Sequence, residues 1–408
     1  MEHKLFWCKV NKYFLNKWLN YFDSSQDYDL QNSVLVASCV VTDRAKKKRI
    51  KEILWYLQSG KKVYLTGCGA FDRGDAMAQD AFFKIYPMLE KWKWQIVLLP
   101  ESPPEDLLIT KKQKNIFTKK FVVIQSGCDT WCSFCLTVSK RWKHYSRPAE
   151  QIIDEILTFQ DQWGKEIVLT GVNLASWWAS STQKPQEAKL GSLLELIIKR
   201  TNIPRIRISS LGPEFLDDHF FEVIEDERIL PYFHISIQSF SDNVLSNMRR
   251  QYDLRLLENI FERFARLKRS DKGIISFWAD IIVWFPGESE KDFEITYRKV
   301  KEFNISKLHV FPFSPHLFGE TVPASKFSQQ ISQLVKKSRE KKLLKLAGSI
   351  REKFIGDNIG KKHYVLIEEV KNNKSLGRTQ NYIKVALDGA LSRGEIQEIV
   401  LEKSFVVL

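Results

Sequence analysis

No run of about 18 uncharged apolar residues occurs in the 408-residue sequence, so no helix in it is built to span a bilayer. The first twenty residues are charged throughout. They contain no apolar segment followed by a small-residue cleavage site, so they do not read as an export signal and the cytoplasm is the expected compartment. No internal repeat runs through the chain beyond an alternation of strand-like and helix-like segments, and no low-complexity tract interrupts it. Cysteine is scarce, at six residues. Six thiols in a chain of this length without an export signal make a poor disulfide scaffold. Their positions carry more than their number: Cys8, Cys39 and Cys68 stand early in the chain, and Cys128, Cys132 and Cys135 form one tight run.

What is present is apolar residue enough, at 44%, for two or three globular domains with cores of their own. The formal net charge of +14 points to an acidic partner such as nucleic acid, against the plainer reading of a lysine-rich surface. Apolar runs over residues 5–10, 33–41, 61–68 and 94–100 read as strands, separated by helix-like stretches over 11–22, 42–60 and 75–92. Strand and helix in alternation predict a parallel sheet with crossover helices. Cys39 follows Cys8 by 31 positions and Cys68 follows Cys39 by 29, about one βα unit each time. Each of the three therefore falls at the carboxyl end of a successive strand, the edge where open α/β sheets bind ligands.

A proline-bearing linker and the basic run 111–120 precede a second alternating series. Its strands are expected over 121–126, 166–171, 205–210, 233–239, 275–285 and 306–313, with helices between them. Six βα units suit an open, partial TIM-like barrel, fewer than the eight that close one. A charged helix from Val335 leads to short β-like runs over 363–370, 382–388, 395–404 and 405–408, which suit a small β-barrel. The expected class is thus α/β in three parts: an N-terminal parallel-sheet domain over 1–104, an open (βα)6 barrel over 116–345, and a C-terminal β-barrel over 346–408.

The loop Cys128-Asp-Thr-Trp-Cys132-Ser-Phe-Cys135 follows a strand. Three thiolates there can hold three corners of a [4Fe-4S] cluster and leave the fourth iron open. A structural zinc site needs a fourth ligand, for which His144 is the one nearby candidate.

This spacing resembles that of the radical S-adenosylmethionine superfamily, in which the open iron binds S-adenosylmethionine and the cluster cleaves it reductively. The resemblance covers nearly the whole chain and is closest to the methylthiotransferases. Segments WCKVN with Cys8, ASCVVT with Cys39 and LTGCGA with Cys68 match that family's three N-terminal cysteine motifs, which implies that these three hold a second [4Fe-4S] cluster handling sulfur. For one cysteine, an ordinary buried thiol would be the better reading; three at βα spacing favour ligands. The resemblance implies S-adenosylmethionine contacts from Thr170, Gly171 and Asn173 for the amino group, and from Ser236, Gln238, Ile282 and Phe285 near the ribose and adenine. Arg147, in the Ser-Arg-Pro segment, reads equally as a substrate or cofactor contact or as a surface charge. Residues 377–385 resemble the family's TRAM module, which engages RNA. With eight Lys/Arg against six Asp/Glu from Lys361 onward the tail is only mildly basic, so most of the surplus charge lies elsewhere.

The family implies tRNA as partner, an electron donor and a sulfur source. Of its substrate branches, Cys8-Lys-Val-Asn11 leans toward threonylcarbamoyladenosine, at C2 of the base next to the anticodon. The competing readings are isopentenyladenosine tRNA, a ribosomal protein, or an RNA-binding metalloprotein without catalysis. Trp7, Phe240 and Trp284 stand where the family has glycine, and Gly212 where it has glutamate. A glycine is kept where backbone nears a ligand, so the three aromatics are expected to alter the pocket.

Overall fold

Val34, Leu35, Val36 and Ala37 are fully buried, as an apolar run in a parallel sheet covered on both faces must be. They form β2 (Ser33–Ser38), which lies between β1 (Glu2–Leu5) and β3 (Lys62–Gly67), with β4 (Ile96–Leu98) beyond β3. All neighbours are parallel, in the sequential order β1–β2–β3–β4. The computed structural model describes residues 1–5, 8–24, 30–104, 114–141, 143–178, 189–271, 273–316, 319–329 and 333–407. The chain divides into two compact units, each discontinuous in sequence.

Unit 1 comprises Met1–Ile116, Ser126–Tyr145 and Phe313–Ser328. Helix α1 (Lys9–Ser24) starts earlier than the apolar run over 5–10 suggests, because Val10, Tyr13, Phe14 and Trp18 recur at helical spacing and bury one face. Helix α2 (Asp43–Gln58) starts at Thr42, whose hydroxyl accepts the Ala45 N–H at 3.1 Å. The helix expected over 75–92 is shorter, at Gln79–Ile85, and gives way to a tighter 3-10 stretch from Pro87, which has no N–H to continue it. Helix α3 (Thr137–Arg141) closes the loop that bears Cys128, Cys132 and Cys135.

Unit 2 comprises Phe117–Gln125, Ser146–Pro312 and Gln329–Leu408. The six barrel strands form as expected: β5 (Lys120–Ser126), β6 (Glu166–Gly171), β7 (Arg205–Ile208) with its continuation β8 (Ser210–Leu211), β9 (Tyr232–Gln238), β10 (Ser276–Val283) and β11 (Lys307–Pro312). Every pairing among them is parallel. Ile167, Ile206, Ile235, Ile281 and Leu308 point outward into one core with α4 (Ala149–Gln160), α5 (Leu190–Arg200), α6 (Leu254–Ala265), α7 (Glu290–Glu302) and the later part of α8 (Gln333–Gly356). The alternate residues, Glu166, Arg205, Arg207, His234 and Asp280 among them, therefore face the barrel interior.

The tail is a curled, four-stranded antiparallel half-barrel in the order β14–β13–β12–β15, from β12 (Lys362–Lys371), β13 (Lys374–Arg378), β14 (Lys384–Asp388) and β15 (Ile396–Val400). Strand β13 has no apolar alternation to announce it; it forms by pairing with both β12 and β14. The run at 405–408 contributes a single bridge, Val385 to Val406.

Candidate functional site

All six cysteines lie in unit 1 and all are free thiols. Cys39 and Cys68 directly follow β2 and β3, and Cys8 stands between β1 and α1, so the three occupy the carboxyl ends of adjacent parallel strands. Cys68 leaves the sheet between two glycines that have no room for a side chain. A Cβ on Gly67, whose φ is +87°, would lie 2.3 Å from the Ser38 carbonyl oxygen, and one on Gly69 would meet the Arg49 guanidinium at 1.5 Å.

Arg141, from α3, reaches the same place. Its Nε–H donates to Cys68 Sγ at 3.1 Å, and Nη2 donates to Asn11 Oδ1 at 2.8 Å. It also pairs with Glu101. Asn11 in turn donates to the Ser38 carbonyl at 2.9 Å, so this last residue of the Cys-Lys-Val-Asn motif braces the strand end. Burial pushes the Cys8 thiol up and that of Cys39 up to about 12, so bare thiolates are disfavoured there.

The second triad has its own donors. Cys128 Sγ lies 2.9 Å and Cys132 Sγ 3.7 Å from the Thr130 hydroxyl, and the Thr137 N–H donates to Cys135 Sγ at 3.3 Å. Gly127, with φ +73°, turns the chain into this loop where a Cβ would strike the Lys143 carbonyl. Burial raises the Cys128 thiol to about 12 as well. Two threes of sulfur, supplied with N–H and O–H donors and a guanidinium that offset thiolate charge, fit iron–sulfur ligation.

In unit 2, Thr170 is buried on the interior face of β6, 3.4 Å from the Ser209 hydroxyl, and Gly171 has no space for a Cβ beside Gln125. The Asn173 N–H donates to Gln125 Oε1 at 2.8 Å. Ser236 and Ile282 face the interior from β9 and β10; Gln238 ends β9 with φ +69°, and Phe285 is fully buried in the turn after β10. Thr170, Gly171 and Asn173 are thus gathered at one strand end. Glu214, which motif reading missed, lies beside them. A Cβ on Gly212 would sit 3.0 Å from Glu214 Oε2 and 3.1 Å from Asn173 Oδ1, so this carboxylate occupies space next to the position where the family's glutamate is absent. Glu214 Oε2 is buried without a hydrogen-bond partner, and burial raises its carboxyl.

Two expectations change. Phe240 and Trp284 are not pocket walls: both are buried in the helix-side core, Phe240 near the rings of Phe261 and Phe303. Trp284 has φ +69°, the left-handed conformation that explains why glycine suits this position. Trp7, and residues 111–113 of the basic run, lie outside the described residues. Arg147 braces the barrel, donating to the Val123 carbonyl at 2.7 Å and pairing with Glu155 at 2.9 Å.

The lower interior is ionic. Glu166 receives Arg205 Nε and Arg207 Nε, each at 2.8 Å, with Lys119 Nζ at 3.6 Å. Burial alone would raise its carboxyl; Arg207, Lys119 and Arg205 hold it well below the usual range. The half-barrel supplies the floor: Tyr382 stacks on Tyr232 with centroids 4.4 Å apart, and Arg207 donates to the Gln380 carbonyl at 3.2 Å. Above it, His234, Asp280 and His309 bring one ligand atom each within 4.8 Å of one another, and His144 is not part of that group.

Residues 122–300 match the family model of the Radical SAM superfamily. Over 394 residues the chain is 29% identical to a threonylcarbamoyladenosine tRNA methylthiotransferase, MtaB, of Chlamydia pneumoniae, covering 93% of this chain and 89% of that protein. The protein of that name in Bacillus subtilis is 33% identical over 278 residues, 67% of this chain and 59% of its own length. A tRNA-2-methylthio-N(6)-dimethylallyladenosine synthase of Ehrlichia chaffeensis is 29% identical over 374 residues, 86% and 83% of the two chains. Among the described residues, no helix is long and apolar enough to cross a membrane.

Proposed function

Because the chain belongs to the radical S-adenosylmethionine methylthiotransferases, we propose that it adds a methylthio group to C2 of N6-threonylcarbamoyladenosine next to the anticodon of a tRNA. The observation that carries this reading is the gathering of two cysteine triads in one unit, one at adjacent strand ends and one on a single loop. Cys128, Cys132 and Cys135 hold the cluster with the open iron, and Cys8, Cys39 and Cys68 hold the auxiliary cluster. The chemistry a bound cluster with an open iron supplies is one-electron reductive cleavage of S-adenosylmethionine. Arg141 offsets thiolate charge at Cys68 and fixes the position of its sulfur.

Thr170, Gly171, Asn173, Ser236, Gln238, Ile282 and Phe285 line the place for S-adenosylmethionine. Glu214, whose Oε2 is buried without a hydrogen-bond partner beside Asn173, receives its ammonium group. The tRNA backbone meets the chain's excess of Lys and Arg, the tail included. Electrons and replacement sulfur come from partners outside the chain. Cys8-Lys-Val-Asn11 supports the threonylcarbamoyladenosine branch, while the similarity to the dimethylallyladenosine synthase supports the other tRNA branch.

The deciding measurement is mass spectrometry of tRNA nucleosides from a strain lacking the gene. Loss of 2-methylthio-N6-threonylcarbamoyladenosine is the expected result. Loss of the isopentenyl product instead moves the enzyme to the other branch, and an unchanged nucleoside profile refutes the tRNA reading.

A further inference from the structure

Three polar side chains meet on adjacent strands of the barrel interior. His234, Asp280 and His309 come from β9, β10 and β11, and Asp280 is paired in register with His309. The His309 Nδ1 lies 3.1 Å from Asp280 Oδ1, and His234 Nε2 lies 3.0 Å from the same oxygen. The imidazole rings meet edge to face, 5.1 Å between centroids. His234 is buried and His309 is about one third exposed. The ring of His309 is flanked by Trp278 at 5.5 Å and Phe311 at 6.3 Å. Ser236 and Ile282 lie two residues further along the same faces of β9 and β10.

The chemistry follows from the acceptor. Burial would raise the Asp280 carboxyl, but His234 and His309 hold it below the usual carboxylate range, so it is ionised. An ionised carboxylate only accepts, so the His309 nitrogen hydrogen-bonded to it carries a proton. In the neutral imidazole that nitrogen is Nδ1, which leaves the lone pair on Nε2 of a ring set between two aromatic side chains. A planar heterocycle bearing an N–H fits such a place: it can stack on the aromatic rings while the N–H meets the lone pair.

We propose that Asp280 locks His309 in the tautomer with the lone pair on Nε2, and that this nitrogen accepts the exocyclic N–H of the substrate adenine. The proposal rests on the tRNA reading above and adds a residue that recognises the base. A metal held by the three side chains is the rival explanation. The 3.1 Å hydrogen bond from His309 Nδ1 to Asp280 Oδ1 favours a proton over an ion between them.

The test uses the holoenzyme and two anticodon stem-loops that differ at the target base, adenosine against N6,N6-dimethyladenosine, with affinities read by fluorescence anisotropy. Wild type prefers the stem-loop with the N–H by roughly 10- to 100-fold. Asp280→Asn presents its amide N–H to Nδ1, moves the imidazole proton to Nε2 and abolishes that preference. His309→Gln, whose amide oxygen can serve as acceptor, keeps part of it, and His309→Ala loses it. Iron content and melting temperature identify any variant that has failed to fold. Equal discrimination by wild type and Asp280→Asn overturns the proposal. So does stoichiometric zinc in wild type that is lost from Asp280→Asn. Because binding is measured without turnover, failure of methylthiolation would refute the functional reading and leave this comparison valid.

Discussion

Replacing Glu166 with Gln keeps the shape of the barrel interior and removes the charge that Arg205, Arg207 and Lys119 share. The wild-type carboxylate accepts two guanidinium bonds of 2.8 Å, and Glu166 and Arg207 each expose only 1% of their side chain. A neutral amide leaves these cations uncompensated and turns an N–H toward one of them. Breaking a buried pair from one side costs about 3–5 kcal/mol. At roughly 2–4 °C per kcal/mol for a unit of this size, the melting temperature falls by about 10 °C. Circular dichroism melts of the anaerobically purified proteins at neutral pH measure it directly. A second signature is pH. The folded-state pKa of Glu166 is depressed from the ordinary value of 4.5, so its contribution is present above that value and is lost as pH falls through the lower one. Glu166→Gln should therefore lose less stability than wild type over the acid range. Melting within 2 °C of wild type, or parallel acid profiles, would refute the idea that this carboxylate holds the interior together.

Anaerobic reconstitution should give about eight irons per chain, and replacing Cys128, Cys132 and Cys135 with Ala about four, since each triad suits one four-iron cluster; a wild-type count stopping at four contradicts two clusters. Cys39→Ala should retain cleavage of S-adenosylmethionine to 5′-deoxyadenosine, read by chromatography, and lose methylthiolation; full product from that variant would remove the N-terminal triad from sulfur delivery. Removing residues from Gly356 onward takes away Tyr382 and the carbonyl that receives Arg207, so it should lower the melting temperature while sparing iron, because the six cysteines belong to unit 1. Charge reversal at exposed Lys361 and Lys371 is the cleaner probe of RNA binding: melting should not move, and the slope of log affinity against log salt should flatten, by about one for each phosphate that is no longer neutralised. Trp284→Gly relieves a left-handed tryptophan but empties core volume, and the cavity should win, with a net loss of about 2–4 kcal/mol by denaturant titration.

The cysteine spacing made the sheet edge legible because a βα unit has a nearly fixed length, so three thiols about thirty positions apart must recur at equivalent strand ends. The barrel strands were legible for the same local reason. What could not be read is what depends on pairing across the chain. Nothing near Lys374 marks a strand until β12 and β14 flank it. His234, Asp280 and His309 are far apart in sequence and meet only through the pairing of three strands; the available signal was the place of His234 and Asp280 two residues before Ser236 and Ile282. Phe240 and Trp284 misled because a missing glycine was read as a pocket change. The structure buries both in the core, with the Phe240 ring near those of Phe261 and Phe303.

The discontinuity of unit 1 bears on how the protein is made. Ribosomes deliver Cys8, Cys39 and Cys68 first and the Cys128 loop soon after, but the unit also needs Phe313–Ser328. Ser314 donates its hydroxyl to Asp43 at 2.9 Å and accepts the Asp43 N–H, and Glu320 neutralises both buried Lys46, at 3.2 Å, and Lys140. Until Glu320 emerges from the exit tunnel, both lysines lack their counter-charge. Completion of unit 1 is accordingly a late event in biogenesis, after most of unit 2 has been translated. A nonsense codon between Cys135 and Glu320 would release a polypeptide with all six cysteines synthesised and the unit that houses them incomplete.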